Sequence, residues 1–122
     1  TIDILDARII NIRVNFVAVV DYSQEKIEAL AAAITRIEEM FAEKADIGQP
    51  IYISKIYDIL NNLDEIVDVT DVKITNESGG LYSDQVLNLK QYMSADGRIL
   101  YAPENTVYEL KYPDLDIKGT IS

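Results

Sequence analysis

The chain contains no cysteine and no histidine. The first absence removes disulfides, thiolate chemistry and cysteine-based zinc sites. The second removes the commonest general base and the commonest transition-metal ligand, and it bears hardest on function. Cations are scarce too: 11 Lys and Arg stand against 21 Asp and Glu, a net charge of −10. Phosphate backbones and anionic lipid surfaces repel such a domain at long range, which disfavours nucleic-acid and membrane partners. The apolar runs are too short to span a bilayer. The acidic N-terminus lacks the cationic n-region of a secretory signal. The chain starts on Thr1 rather than Met, which gives the expectation of a fragment cut from a longer protein.

What is present is ordinary for a globular domain. The 122 residues are 48% hydrophobic and 26% charged, enough for a single core. Thr1–Asp6 reads as an extended lead-in. Ala7–Val20 is the first strand, with Ile10, Ile12, Val14, Phe16, Ala18 and Val20 on one face at period two. The other face carries Ile9, Asn11, Arg13, Asn15, Val17 and Val19, polar only in its middle. At about 3.3 Å per residue this stretch reaches roughly 45 Å, beyond the usual strand length. An end that projects with Val17 and Val19 facing outward needs a cover, from this chain or from another.

Asp21–Tyr22 is a short link, and Ser23 reads as an N-cap with Glu25 in the first turn. The helix it opens runs to about Lys44. Ile27, Leu30, Ile34, Ile37 and Phe41 form its expected core stripe, widened by Ala31, Ala33 and Met40. Glu28, Arg36, Glu38, Glu39 and Glu43 take the solvated face. Gly48 and Pro50 stop this helix. A short strand Ile51–Ile53 follows, then a helix capped by Ser54 with Ile56, Ile59, Leu60 and Leu63 as its apolar stripe.

In the next strand, Ile66–Thr75, apolar parity slips: Val67 and Val69 are odd, Val72 and Ile74 even. A bulge near Thr70–Asp71 reconciles them. Asn76–Gly80 reads as a loop. Beyond it, Asp96–Gly97 is a turn before a strand Arg98–Ala102, and Pro103–Asn105 is a second turn. Thr106–Tyr112 alternates, and Asp116–Ile121 adds an edge strand. The expected fold is α+β: a β-α-β-α-β core over residues 1–80, with a β-rich, tyrosine-containing arm or subdomain over 81–122, together one compact unit.

Groups poised for bond chemistry are hard to find. Asp64, Glu65, Asp68 and Asp71 lack EF-hand spacing and read as a solvated strand entry rather than a calcium site. Asp114 and Asp116 flank Leu115 and read as surface residues, not as a desolvated catalytic pair. Gly79–Gly80 matches no phosphate-loop pattern, and Ser54–Lys55 lacks the S-x-x-K spacing of serine acyltransferases. No catalytic, cofactor-binding or metal-ligating residue is assigned, no cofactor is expected, and the domain reads as a non-enzyme. Tyr82, Tyr92, Tyr101, Tyr108 and Tyr112 gather in the last third. Tyrosine is enriched at protein interfaces, and it also packs across strands; the two readings are compatible.

Two stretches carry a resemblance. The strand NIRVNFVAVV, the capped helix and IGQPIYISKIYDILNNLDEIVDVTDVKI resemble the general pattern of baseplate J-like proteins. The remainder, YSDQVLNLKQYMSADGRILYAPENTVYELKYPDLDIKGTI, is similar to the extension of the wedge proteins of T4-like phages and their marine relatives. The run DGRILYAPENTVYELKYPDLDIKGT is its most particular part. Where many relatives have a "GV" pair before the third strand, this chain has Glu65–Ile66.

The resemblance implies structural work in a contractile-tail baseplate: wedges joined into a ring around the tail hub, two copies per wedge, and a ring that rearranges when the sheath contracts. It implies a virion protein assembled in the host cytoplasm, whose partners are itself, as a homodimer, and other wedge subunits. Val17, Val19, Tyr82, Tyr92, Tyr101, Tyr108 and Tyr112 are the candidate interface residues. The rival function is a small α/β ligand-binding regulatory module, which needs a pocket of convergent polar groups. A third, a carboxylate-dependent hydrolase, needs a desolvated acid pair.

Overall fold

The structure is a computed structural model that describes residues 7–21, 26–42 and 47–122. The expected lead-in, the Ser23 cap and the helix end near Lys44 lie outside the described residues. The fold is α+β, and it is organised around one strand. β1 (Arg8–Val19) is central, and both of its edges are used. On one edge it pairs antiparallel with β3 (Asp68–Glu77). On the other it pairs in parallel with two short strands laid end to end. β5 (Thr106–Glu109) takes Arg8–Asn11, and β6 (Ile117–Ile121) takes Val14–Ala18. This arrangement accounts for the length of β1: two segments of the last third share one of its edges. A second, two-stranded sheet pairs β2 (Ile51–Tyr52) with β4 (Ile99–Leu100).

The period-two reading of β1 holds. Ile10, Ile12, Val14, Phe16, Ala18 and Val20 are all buried. The β3 bulge also falls where parity requires it: Val17 pairs with Asp71 and Ala18 with Val69, leaving Thr70 unmatched. The extra residue returns Val69, Val72 and Ile74 to one buried face. Val67 does not join them and is exposed, because the strand begins only at Asp68.

α1 (Lys26–Ala42) and α2 (Ile53–Asn61) cover the apolar face. The expected stripe of α1 is corrected by a rotation of the helix. Ala29, Ala33 and Ile37 are its buried residues, Leu30, Ile34 and Phe41 are half-buried shoulders, and Ile27 is 83% exposed. The physical reason is close approach. α1 packs on β6, where Gly119 carries no side chain and small alanines let the helix settle.

In α2 the buried residues are Ile53, Ile56 and Leu60. Ser54 is not its cap. The helix starts two residues earlier, at Ile53 with Tyr52 in the cap position, and the carbonyl of Arg98 accepts from the amides of Ile53 (2.8 Å) and Ser54 (3.3 Å). A turn from the last third thus satisfies the first orphan donors of the helix. α2 in turn guards the outer edge of β3. The Tyr57 hydroxyl accepts from the Val72 amide at 3.0 Å, and Asn61 Oδ1 accepts from the Val69 amide at 3.2 Å. No helix among the described residues is long and apolar enough to cross a membrane.

Candidate interaction surface

The second face of the sheet is where sequence and structure diverge most. Asn11 belongs to the polar middle of the second face of β1, and it is buried. The chain at residues 80–88 crosses above it as a strap. Asn11 Oδ1 accepts from the Ser83 amide at 2.6 Å, and its Nδ2 donates to Glu109 Oε1 at 2.7 Å. Asn76 Oδ1 accepts from the Leu87 amide at 2.9 Å, while its Nδ2 donates to the Asn11 carbonyl at 3.0 Å. The Arg8 guanidinium donates to Gln85 Oε1 and to the Val86 carbonyl. Backbone groups that leave the sheet are thereby met by amide and guanidinium side chains rising from it.

The second departure is Asp116. The turn Pro113–Asp116 (α3) joins β5 to β6 along one edge of β1, with proline at the first helical positions. It buries Asp116 completely and leaves Asp114 exposed, so the two are neither a surface pair nor aimed alike. Asp116 Oδ1 accepts from Arg13 Nη2 at 3.3 Å and from the Tyr82 hydroxyl at 2.7 Å, and Oδ2 accepts from the Tyr112 amide at 3.2 Å. Arg13 also pairs with Glu77 at 3.3 Å. Such a carboxylate is burdened by desolvation but fully hydrogen-bonded. Its hydrogen bond to Tyr82 is the main cause that raises that phenol above its ordinary pKa, with desolvation second.

This latch fixes an exposed corner. The rings of Tyr82 and Tyr112 meet edge to face at 5.6 Å between centroids. The Lys111 ammonium lies 5.6 Å from the Tyr112 ring centre and donates to the Leu81 carbonyl. Leu81, beside Tyr82, is 75% exposed, and Leu115, beside Asp116, is 60% exposed. Two large aliphatic side chains thus stand in water around an anchored pair of tyrosines.

The other candidate residues do not join this corner. Val17 and Val19 are half-buried four and six residues beyond Arg13 on β1, opposite Asp71 and Asp68. Tyr101, just past the end of β4, is exposed, and Tyr92 leans on the core. Tyr108 is itself core: it is 5% exposed, its hydroxyl donates to the Tyr101 carbonyl at 2.7 Å, and burial pushes its phenol up to about 12. Its ring offers no surface to a partner, which corrects its place among the interface candidates. Sequence reasoning missed Asn11, Arg13, Leu81, Leu115 and Asp116. The signal for the first two was the polar triplet Asn11, Arg13, Asn15 on one face of an otherwise apolar strand.

Among the described residues no group of three or more carboxylates is placed to hold a metal ion. A scan against protein-family models and a search of curated proteins each returned no match to this chain.

Proposed function

We propose that this domain is a structural, homo-oligomerising module of a contractile-tail phage baseplate wedge. Its partners are a second copy of itself and other wedge subunits of the ring, and its place is the virion after assembly in the host cytoplasm. The observation that carries the assembly role is the corner of Leu81, Tyr82, Tyr112 and Leu115. Exposed aliphatic side chains around positioned tyrosines are what a contact centre needs. The baseplate assignment rests on the similarity of the sequence to wedge proteins.

Two features count against turnover. The buried carboxylate of Asp116 has its oxygens taken by Arg13, Tyr82 and the Tyr112 amide. Arg13 stands between Asp116 and Glu77, 3.3 Å from each, so its guanidinium separates the two carboxylates. For ligand binding, the groove between α1 and α2 has a volume of about 310 Å³ and is lined, among the described residues, by Arg36, Glu39, Met40 and Ile59. Light scattering from low to high micromolar concentration, with and without wedge subunits of a contractile tail, tests the proposal. A mass above the monomer or co-elution with a wedge subunit is expected. A strict monomer that co-elutes with none contradicts it.

A further inference from the structure

The strap over residues 80–88 is held in an unusual way. Its anchors are polar: Asn11 on Ser83, Asn76 on Leu87, Arg8 on Gln85 and Val86, Lys111 on Leu81, and Asp116 on Tyr82. Its large apolar side chains Leu81 and Val86 face water, and only Leu87 packs partly against the core. The strap begins at Gly79–Gly80, both at positive φ with open space where a Cβ would be. It ends at Leu89, where burial resumes. The floor beneath it carries Asn11, Arg13, Glu77, Glu109 and Asp116. When such a floor opens, water takes over its hydrogen bonds, and little apolar surface is exposed.

We propose that residues 80–88 open from the sheet as one unit while the rest of the domain stays folded. Few buried apolar contacts mark a segment at the low end of local stability. The anchors are linked: Asn76 binds both the Leu87 amide and the Asn11 carbonyl, and Asn11 holds Ser83. Loss of one therefore loosens the next. Opening frees the amides of Asn11 and Asn76, which in the closed state satisfy strap backbone four residues apart. It also withdraws Leu81 and Tyr82 from the exposed corner. The strap thus governs whether that corner is assembled, a consequence that rests on the interface reading, whereas the opening itself does not.

Native-state hydrogen exchange of the whole chain, read residue by residue, tests it. The Ser83 and Leu87 amides should exchange faster than those of Val14 and Phe16, at rates insensitive to low urea. In Asn76→Ala both strap amides should accelerate together by roughly five- to tenfold, the size expected from one lost hydrogen bond, with β1 unchanged. Arg8→Ala, which removes an anchor outside the asparagine pair, should accelerate both as well. Strap amides as slow as β1, or acceleration of Leu87 alone in Asn76→Ala, would overturn the proposal. Strap amides that behave as proposed in a chain that stays monomeric at high micromolar concentration would sink the interface reading and leave the opening intact.

Discussion

The Phe16 ring lies against Gly119, its cross-strand partner, so closely that a Cβ built on Gly119 would stand 2.3 Å from Phe16 Cζ and 2.7 Å from Leu30 Cδ1. Three elements meet at that point: β1, β6 and α1. The aromatic ring fills the space a side chain on β6 would take, and the helix rests on both. Gly119→Ala should therefore lower stability by about 1–3 kcal/mol through overpacking. A urea titration reads this as a lower midpoint with an unchanged slope.

Asp116 links the end of the chain to the middle of β1. Asp116→Ala leaves Arg13 facing Glu77 alone and strands the Tyr82 hydroxyl and the Tyr112 amide. The expected loss is about 2–4 kcal/mol, below the extreme for fully buried pairs because Arg13 keeps part of its surface in water. Removal of the carboxylate should also bring the Tyr82 phenol back toward its ordinary value, since that hydrogen bond is the first cause of its rise. Ultraviolet titration of tyrosinate in a variant lacking the other tyrosines checks the second point.

Tyr108 makes stability fall at high pH. Its folded pKa of about 12 lies above the unfolded value of 10. The unfolded chain loses this proton first, so the contribution is complete below pH 10 and disappears between pH 10 and about 12. Up to about 2–3 kcal/mol is at stake. Tyr108→Phe should flatten the stability profile across that window in denaturant titrations, apart from a uniform offset for the lost bond to the Tyr101 carbonyl.

Deletion of Thr70 removes the bulge of β3. The register between β1 and β3 then becomes continuous: Val69 stays opposite Ala18 and, now next to Asp71, keeps its side chain on the core face. The expected change is small, about 1 kcal/mol or less, because no apolar side chain leaves the core and only the exposed bond from the Thr70 hydroxyl to the Val17 carbonyl is lost. Thermal denaturation followed by circular dichroism measures it.

Much of this architecture was legible in the chain. Alternation in β1 and the parity break at Thr70 are properties of single strands, and a strand's own side chains report which way they face. The burial of Asn11 and Asp116 is not local. Each depends on partners 72 to 103 residues away in sequence: Asp116 on Arg13, Asn11 on Ser83 and Glu109. The α1 stripe was misplaced for a related reason. Periodicity favours the large residues Ile27, Leu30 and Ile34, but the surface α1 meets contains Gly119 and admits Ala29 and Ala33 deepest. Ser54 failed as a cap because the helix already begins at Ile53, where the Arg98 carbonyl, distant in sequence, takes the amides of Ile53 and Ser54.

Sedimentation equilibrium of the wild type beside a Leu81→Asp, Leu115→Asp double variant tests the central claim most directly. Both positions are exposed, so the variant should fold with stability within about 0.5 kcal/mol of the wild type. The account predicts a concentration-dependent mass for the wild type and a monomer for the variant across the same range. Equal association of the two, with both folded, would contradict it.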